Sequence, residues 1–250
     1  MEEPFPYAHA SLAAPVRLPD GGEAVLKICF PDRESEHEGD ALAHWDGNGA
    51  VRLLAHDRER RALLIERCRP GTHLRELRPA AGLEVLVGLL PRLWIRAGTP
   101  FRTLAEEAAW WAGYLPEKWD RAGRPFERAL LDAALDALRE LSPTQGEQVL
   151  VHQDLHADNV LRAEREPWLA IDPKPLVGER EFGLAPIVRS YELGHSKRDV
   201  LYRLDRLSAE LALDRERARA WALGQTLAWG WDNGKLLPPH VETARWLRQA

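Results

Sequence analysis

Cysteine is scarce. Cys29 and Cys68 are the only two, too few for a disulfide framework or a four-cysteine zinc site, and both read as small buried apolar residues. Long apolar runs are also missing, and none approaches the roughly 20 residues that span a bilayer. The opening MEEPFPYAHA lacks the basic flank and apolar centre of a secretory signal. Positive charge is not in excess: 34 Lys and Arg face 39 Asp and Glu, a formal net charge of −5. That balance argues against a protein that grips nucleic acid through clustered phosphate contacts. What is present is a globular composition, 45% apolar and 29% charged, over a length that fits one large domain or two small lobes. The expected setting is the reducing cytoplasm, with no membrane or nucleic-acid partner and with a monomer or homodimer as the assembly.

Periodicity divides the chain into two parts. SLAAPVRL and EAVLKICF flank a Pro19-Asp20-Gly21-Gly22 turn signal and predict two strands. Alternation in the second puts Val25, Lys27 and Cys29 on one face and Leu26 and Ile28 on the other. An acidic, helix-compatible stretch, DRESEHEGDALAHW, follows, and then two more strands, AVRLLAHD and ALLIERC. Beyond Gly71 the apolar spacing becomes helical, as in PFERALLDAALDALREL, where Phe126, Leu130, Leu131, Leu135 and Leu138 form one stripe. A β interlude, QVLVHQD, NVLRA and WLAID, interrupts the helices, which resume near Arg198. The expected architecture is α+β: a β-rich lobe over residues 1–69 with one helix, then a larger, mainly helical lobe over 70–250.

Functional residue types concentrate in His152-Gln153-Asp154-Leu155-His156-Ala157-Asp158-Asn159, between two short apolar strands. Polar groups at the ends of buried strands are costly to hold unless they ligate or catalyse. Asp154 and Asn159 have the spacing of a kinase catalytic loop, H-R-D-x-x-x-x-N, with Gln153 in place of Arg, and Asp172 takes the aspartate position of D-F-G. Phosphoryl transfer needs magnesium on hard oxygen ligands, which suits Asn159 and Asp172. It also needs a carboxylate to orient the attacking hydroxyl, which suits Asp154. His152 reads as a buttress of the loop. Lys27, in Ala24-Val25-Leu26-Lys27, matches the phosphate-binding lysine of V-A-I-K. Its partner is expected on the following helix at Glu38, with Glu34 and Glu36 as competitors.

Together these residues make the chain similar to the aminoglycoside phosphotransferases. Trp45-Asp46-Gly47, Ala50–Leu54, Leu63–Arg67 and Ile171–Glu179 resemble one branch in particular, the streptomycin 6-kinases and hydroxyurea phosphotransferases. The resemblance implies a bilobal protein-kinase-like fold, ATP and Mg2+ as cofactors, and transfer of the γ-phosphoryl group to a small-molecule hydroxyl, with streptomycin the leading acceptor. It implies a hinge at Glu66–Cys68 whose backbone meets adenine. It also points to Lys174, Trp231 and Asp232 as acceptor-side residues, the last two on a late helix with Trp229. Lys174 could instead pair with Glu179, and Trp110-Trp111 reads as helix packing. Rival readings are a kinase of a sugar, choline or homoserine, a nucleotide-binding pseudokinase, and a metal-dependent hydrolase using His152, Asp154, His156 and Asp158.

Two features depart from the family pattern. No glycine precedes Gly21, so the phosphate-covering loop is expected as an Ala/Ser-rich turn near Ala8–Ser11, unless the sequence as given starts late. Gly183, in Phe182-Gly183-Leu184-Ala185, stands where an aspartate commonly precedes the Leu-Ala pair.

Overall fold

The computed structural model describes residues 3–5, 11–232 and 234–250. The turn expected near Ala8–Ser11 lies outside these residues, apart from Ser11. Strands β1 (Ser11–Arg17) and β2 (Glu23–Cys29) form a hairpin about the Pro19–Gly22 turn. Helix α1 (Glu38–Trp45) follows, then β3 (Leu53–Asp57) and β4 (Ala62–Glu66). The four strands make one antiparallel sheet in the order β1-β2-β4-β3. The helical part of the acidic stretch is shorter than its composition suggests. Residues 32–37 turn instead, because the Asp32 carboxylate takes the Glu34 N–H (2.8 Å) and the Ser35 hydroxyl bonds back to the Phe30 carbonyl (3.3 Å); short polar side chains compete with helix in this way.

The rest is mainly helical: α2 (Pro79–Leu93), α3 (Leu104–Arg121), α4 (Arg128–Leu141), the short α5 (Ala185–Val188), α6 (Lys197–Glu210), α7 (Arg215–Ala228) and α8 (Pro238–Arg248). Starts are set by local chemistry. Thr103 and Glu106 form a capping box at α3, and the Asp214 side chain caps α7 through the Glu216 and Arg217 N–H groups. No helix among the described residues is long and apolar enough to cross a membrane.

Two small antiparallel pairs interrupt the helices: β5 (Gln148–Val151) with β8 (Leu176–Glu179), and β6 (Val160–Arg162) with β7 (Trp168–Ala170). Strand β8 lies outside the predicted strands, and β7 stops at Ala170, so Asp172 does not end a strand. Trp231 and Asp232 are not helical either. They form β9 (Trp231–Asp232), paired with β10 (Lys235–Leu236). Helix α7 ends before them because Gly230 closes its last turn on the Leu227 carbonyl (3.3 Å) and then accepts the Leu237 N–H (2.8 Å).

The core is continuous through the helical part. Trp111, Phe182 and Trp221 are fully buried, with ring centroids 5.9 Å apart for Trp111–Phe182 and 5.6 Å for Phe182–Trp221. Trp110, by contrast, is 44% exposed, so only the second tryptophan of that pair is packing. The sheet joins the helical part through backbone bonds from Val51 N–H to Ala170 (3.0 Å) and from Ala170 N–H to Gly49 (2.9 Å). Phe182→Ala, which removes the centre of the aromatic stack, is expected to cost about 3–5 kcal/mol in urea denaturation; a loss below about 1 kcal/mol would contradict this description of the core.

Candidate active site

The two small sheets bring distant residues to one point. Val151 of β5 lies opposite Leu176 of β8, so His152–Asp154 emerges beside Lys174. Val160 of β6 lies opposite Ala170 of β7, so Asn159 and Asp172 leave the same end of that hairpin. Two backbone bonds tie the ends together: Lys174 N–H to the His152 carbonyl (3.0 Å) and Ile171 N–H to the Asn159 carbonyl (2.9 Å). Gln153 and Asp172 both sit in the left-handed region, at φ 65° and 55°, a strain on the order of 1–3 kcal/mol each that surrounding contacts must hold.

Lys27 and Asp172 meet although 145 residues separate them in sequence. The Lys27 ammonium donates to both Glu38 oxygens (2.6 and 2.7 Å) and to Asp172 Oδ1 (2.6 Å). Of the three glutamates considered as its partner, Glu38 is the one in contact. Gly39 makes this possible, since a Cβ there would stand 2.6 Å from the His56 ring and hold α1 off the sheet. Burial works against the Lys27 charge, but Glu38 and Asp172 outweigh it and raise its pKa. Burial likewise opposes the Asp172 charge, and Lys27 and Lys174 overcome it, holding that carboxyl well below the ordinary range. Cys29 Sγ lies 3.3 Å from Glu38 Oε2, and burial pushes its thiol up to about 12, so it acts as a donor and not a nucleophile.

Asp154 is held from several sides. Asn159 Nδ2 donates to its carbonyl (2.9 Å) and to Oδ2 (3.2 Å), while Arg189, almost wholly buried, approaches Oδ1 at 3.4 Å. Arg189 also donates to Gln225 Oε1 (2.9 Å), and Gln225 Nε2 donates to the Gln153 carbonyl (3.1 Å). The Arg189 guanidinium lies 4.7 Å from the Trp229 ring. Sequence reasoning missed Arg189 and Gln225, although each is a lone polar residue in an apolar segment, APIVRS and AWALGQTLAW, which is a usable signal. Gly183 is explained by packing: a Cβ there would come within 3.0 Å of Trp94 Nε1, so an aspartate would displace that indole.

His152 is buried, with Nε2 3.0 Å from the Ile171 carbonyl and Nδ1 3.3 Å from the Asp154 N–H, an arrangement that puts the proton on Nε2. Trp45 stacks on it at 6.0 Å. Burial pushes its pKa down to about 3, against the pull of the Ile171 carbonyl. The four residues of the hydrolase reading do not converge. Among the described residues, His156 and Asp158 gather instead with Glu192, and these are already engaged: His156 Nδ1 with Glu192 (2.9 Å) and Asp158 with Arg75 (2.9 Å).

The remaining predicted residues fall in three places. Lys174 pairs with Asp172 (2.9 Å) and not with Glu179, which Arg217 (2.8 Å) and Trp221 Nε1 occupy. The Glu66 side chain is taken by Arg165 (2.8 and 2.9 Å) and the Arg52 N–H (3.0 Å), and Cys68 is half-buried just beyond it. Trp231 turns its indole N–H back to the Leu227 carbonyl (3.1 Å), and Asp232 is exposed beside it.

Comparison with known proteins gives a consistent answer. The family model for aminoglycoside/hydroxyurea antibiotic resistance kinases matches residues 3–234. A hydroxyurea phosphotransferase from Kitasatospora aureofaciens is 44% identical over 249 residues, covering 96% of this chain and 72% of that protein. A streptomycin 6-kinase from Streptomyces griseus is 40% identical over 225 residues, covering 87% and 73%. In three dimensions a choline kinase from Streptococcus pneumoniae superposes with a TM-score of 0.68 at 13% identity, over 98% of this chain and 92% of that one, which shows the kinase-like fold.

The state of His152 has a consequence for stability. The folded protein keeps the ring neutral down to about pH 3, whereas an unfolded chain protonates it near 6.5, so protons favour unfolding as pH falls through that window. His240, also buried and lowered to about 3, acts in the same direction. Measured in urea, His152→Gln is expected to retain more unfolding free energy than wild type does as pH falls from 6.5 to 5, so the two slopes differ. Equal slopes would mean that His152 is protonated in the folded state.

Proposed function

The chain belongs to the family of aminoglycoside/hydroxyurea antibiotic resistance kinases, and from that premise we propose that it transfers the γ-phosphoryl group of ATP to a hydroxyl of streptomycin or a related aminoglycoside. It is a small-molecule phosphotransferase by family, and the family implies ATP as donor. Hydroxyurea is the second acceptor reading, favoured by the 44% identical relative. The observation that carries the proposal is the meeting of Lys27, Glu38 and Asp172 beside the Asp154–Asn159 pair.

Roles follow from the chemistry of each group. Residues 1–69 would bind the nucleotide, with the Glu66–Cys68 backbone against adenine, and residues 70–250 would hold the catalytic loop and the acceptor. Asn159 commits its amide N–H groups to Asp154 and His156 and leaves Oδ1 without a hydrogen bond among the described residues, and Asp172 likewise leaves Oδ2. Two hard oxygens at one end of a hairpin fit magnesium, and these two residues would hold it. Bound there, the ion would neutralise phosphate charge. Lys27 supplies a further positive charge to the phosphates, and Glu38 fixes its position. Asp154 orients the acceptor hydroxyl and takes its proton as the oxygen bonds to the γ-phosphorus. The bond from that phosphorus to the bridging oxygen breaks, and ADP leaves. Lys174 stands between Asp172 and the catalytic loop, where it can meet the transferred group, and β9, with Trp231 and Asp232, is offered as the far wall of the acceptor pocket.

A coupled ADP-release assay with Mg-ATP tests this across streptomycin, other aminoglycosides, hydroxyurea, choline, homoserine and simple sugars. Release stimulated by streptomycin or hydroxyurea is expected. Asp154→Ala is expected to lower it by about 100-fold or more while leaving Mg-ATP binding intact, because the base acts chiefly in the transition state. Stimulation by no acceptor in protein that binds Mg-ATP, or wild-type turnover in Asp154→Ala, would overturn the proposal.

A further inference from the structure

The loop between β2 and α1 crosses to the other part of the molecule. Arg33 Nη2 pairs with Glu107 of α3 at 2.9 Å, and its guanidinium lies over Trp110 at 4.3 Å. Glu107 is fully buried and takes a second cation from Arg102. A buried carboxylate between two guanidinium groups, one of which also rests on an indole, is a firm anchor. The next residue along the loop is therefore fixed in place.

That residue is Glu34. Its backbone N–H is held by Asp32 Oδ1 (2.8 Å), and its half-buried carboxylate has no hydrogen bond or ion-pair partner among the described residues. Several charged and titratable groups face it from the surrounding elements. They are Asp32 on its own loop, Glu107, Tyr114 and Lys118 on α3, Asp154 of the catalytic loop, Lys174 after Asp172, and Arg189 at the end of α5. Its charge is thus within electrostatic reach of both α3 and the proposed catalytic aspartate, on a loop tied to α3 by the neighbouring Arg33. A half-buried carboxylate with no protein partner keeps its acceptor sites open to a ligand.

We infer that Glu34 is an acceptor-recognition residue that receives the planar pair of N–H donors of a guanidinium or urea group on the molecule whose hydroxyl meets Asp154. The inference rests on the kinase reading above and names the chemistry its acceptor must carry. A carboxylate accepts two parallel N–H bonds from such a fork with both geometric and energetic gain. Streptomycin offers the fork as guanidinium and hydroxyurea offers it as an uncharged urea, so one residue serves both acceptors with different charge assistance. Burial, together with Asp32, Glu107 and Asp154, raises the Glu34 pKa to about 7 against the opposing pull of Lys174. Its receptive, ionised form is therefore depleted as pH falls from 8 to 6.

Steady-state kinetics of wild type, Glu34→Gln and Glu34→Ala, with streptomycin and with hydroxyurea at pH 6, 7 and 8, test this. Loss of charge-assisted hydrogen bonds predicts acceptor KM about 10-fold or more higher in Glu34→Ala, with kcat and the KM for Mg-ATP little changed. Glu34→Gln is expected to raise KM more for streptomycin than for hydroxyurea. The rise in acceptor KM from pH 8 to pH 6 should be seen in wild type and flattened in both variants. Unchanged acceptor KM in both variants, or a loss confined to kcat or to Mg-ATP, overturns the assignment while leaving the kinase reading standing. If wild type phosphorylates neither acceptor, this assignment fails, and the kinase reading then stands or falls on the wider acceptor panel.

Discussion

One buried ammonium organises this molecule. Lys27, 6% exposed, lies between Glu38 from the same sheet-and-helix unit and Asp172 from the far end of a hairpin 145 residues later. Removing an ion from water costs several kcal/mol even after relaxation, and a buried pair repays this only with good geometry. Both carboxylates must therefore arrive together. The register of β2 turns Lys27 inward, Gly39 lets α1 close on the sheet, and the β6–β7 pairing delivers Asp172. Lys174 adds a second cation to Asp172, which concentrates ammonium donors and carboxylate oxygens at one point.

The loop that carries Asp154 obeys a different constraint. Its backbone passes through left-handed conformations at Gln153 and Asp172, which only a surrounding framework can hold. Uncharged His152 bridges the two segments through the Ile171 carbonyl and the Asp154 N–H. Gln225 holds the Gln153 carbonyl, and Arg189 links that contact to the Asp154 carboxylate. The aspartate is thereby positioned from α5 and α7 behind it, in a chain whose Gly183 leaves no carboxylate beside Leu184. Arg165 joins Glu66 to the Gly47 and Ala50 carbonyls, coupling the sheet to the hairpin that leads to Asp172.

Much of this was legible in the sequence, for a physical reason in each case. Lys27 stood out because Ala24-Val25-Leu26-Lys27 matches the phosphate-binding lysine of V-A-I-K, and Asp154, Asn159 and Asp172 because their spacing suits phosphoryl transfer. The kinase-like α+β fold followed from the change of period near Gly71 and from the family resemblance. Other features were not legible. Strand β8, whose four residues are all buried, shows no alternation and hides beside Asp172. Trp231 and Asp232 continue the helical spacing of α7, and only the Gly230 and Gly234 positions mark the break. The Arg33–Glu107 anchor joins elements far apart in sequence, so no local pattern announces it, whereas Arg189 and Gln225 stand out in their apolar segments only once their partners are known.

If the Lys27–Asp172 cluster is a phosphate-and-magnesium site, nucleotide binding must depend on the metal through Asp172. Calorimetric titration of wild type and Asp172→Asn with a non-hydrolysable ATP analogue, with and without magnesium, tests that claim most directly. The account predicts an affinity gain of about 10-fold or more on adding magnesium to wild type, largely lost in Asp172→Asn. Equal wild-type affinity with and without magnesium, or the full gain retained in Asp172→Asn, would contradict it.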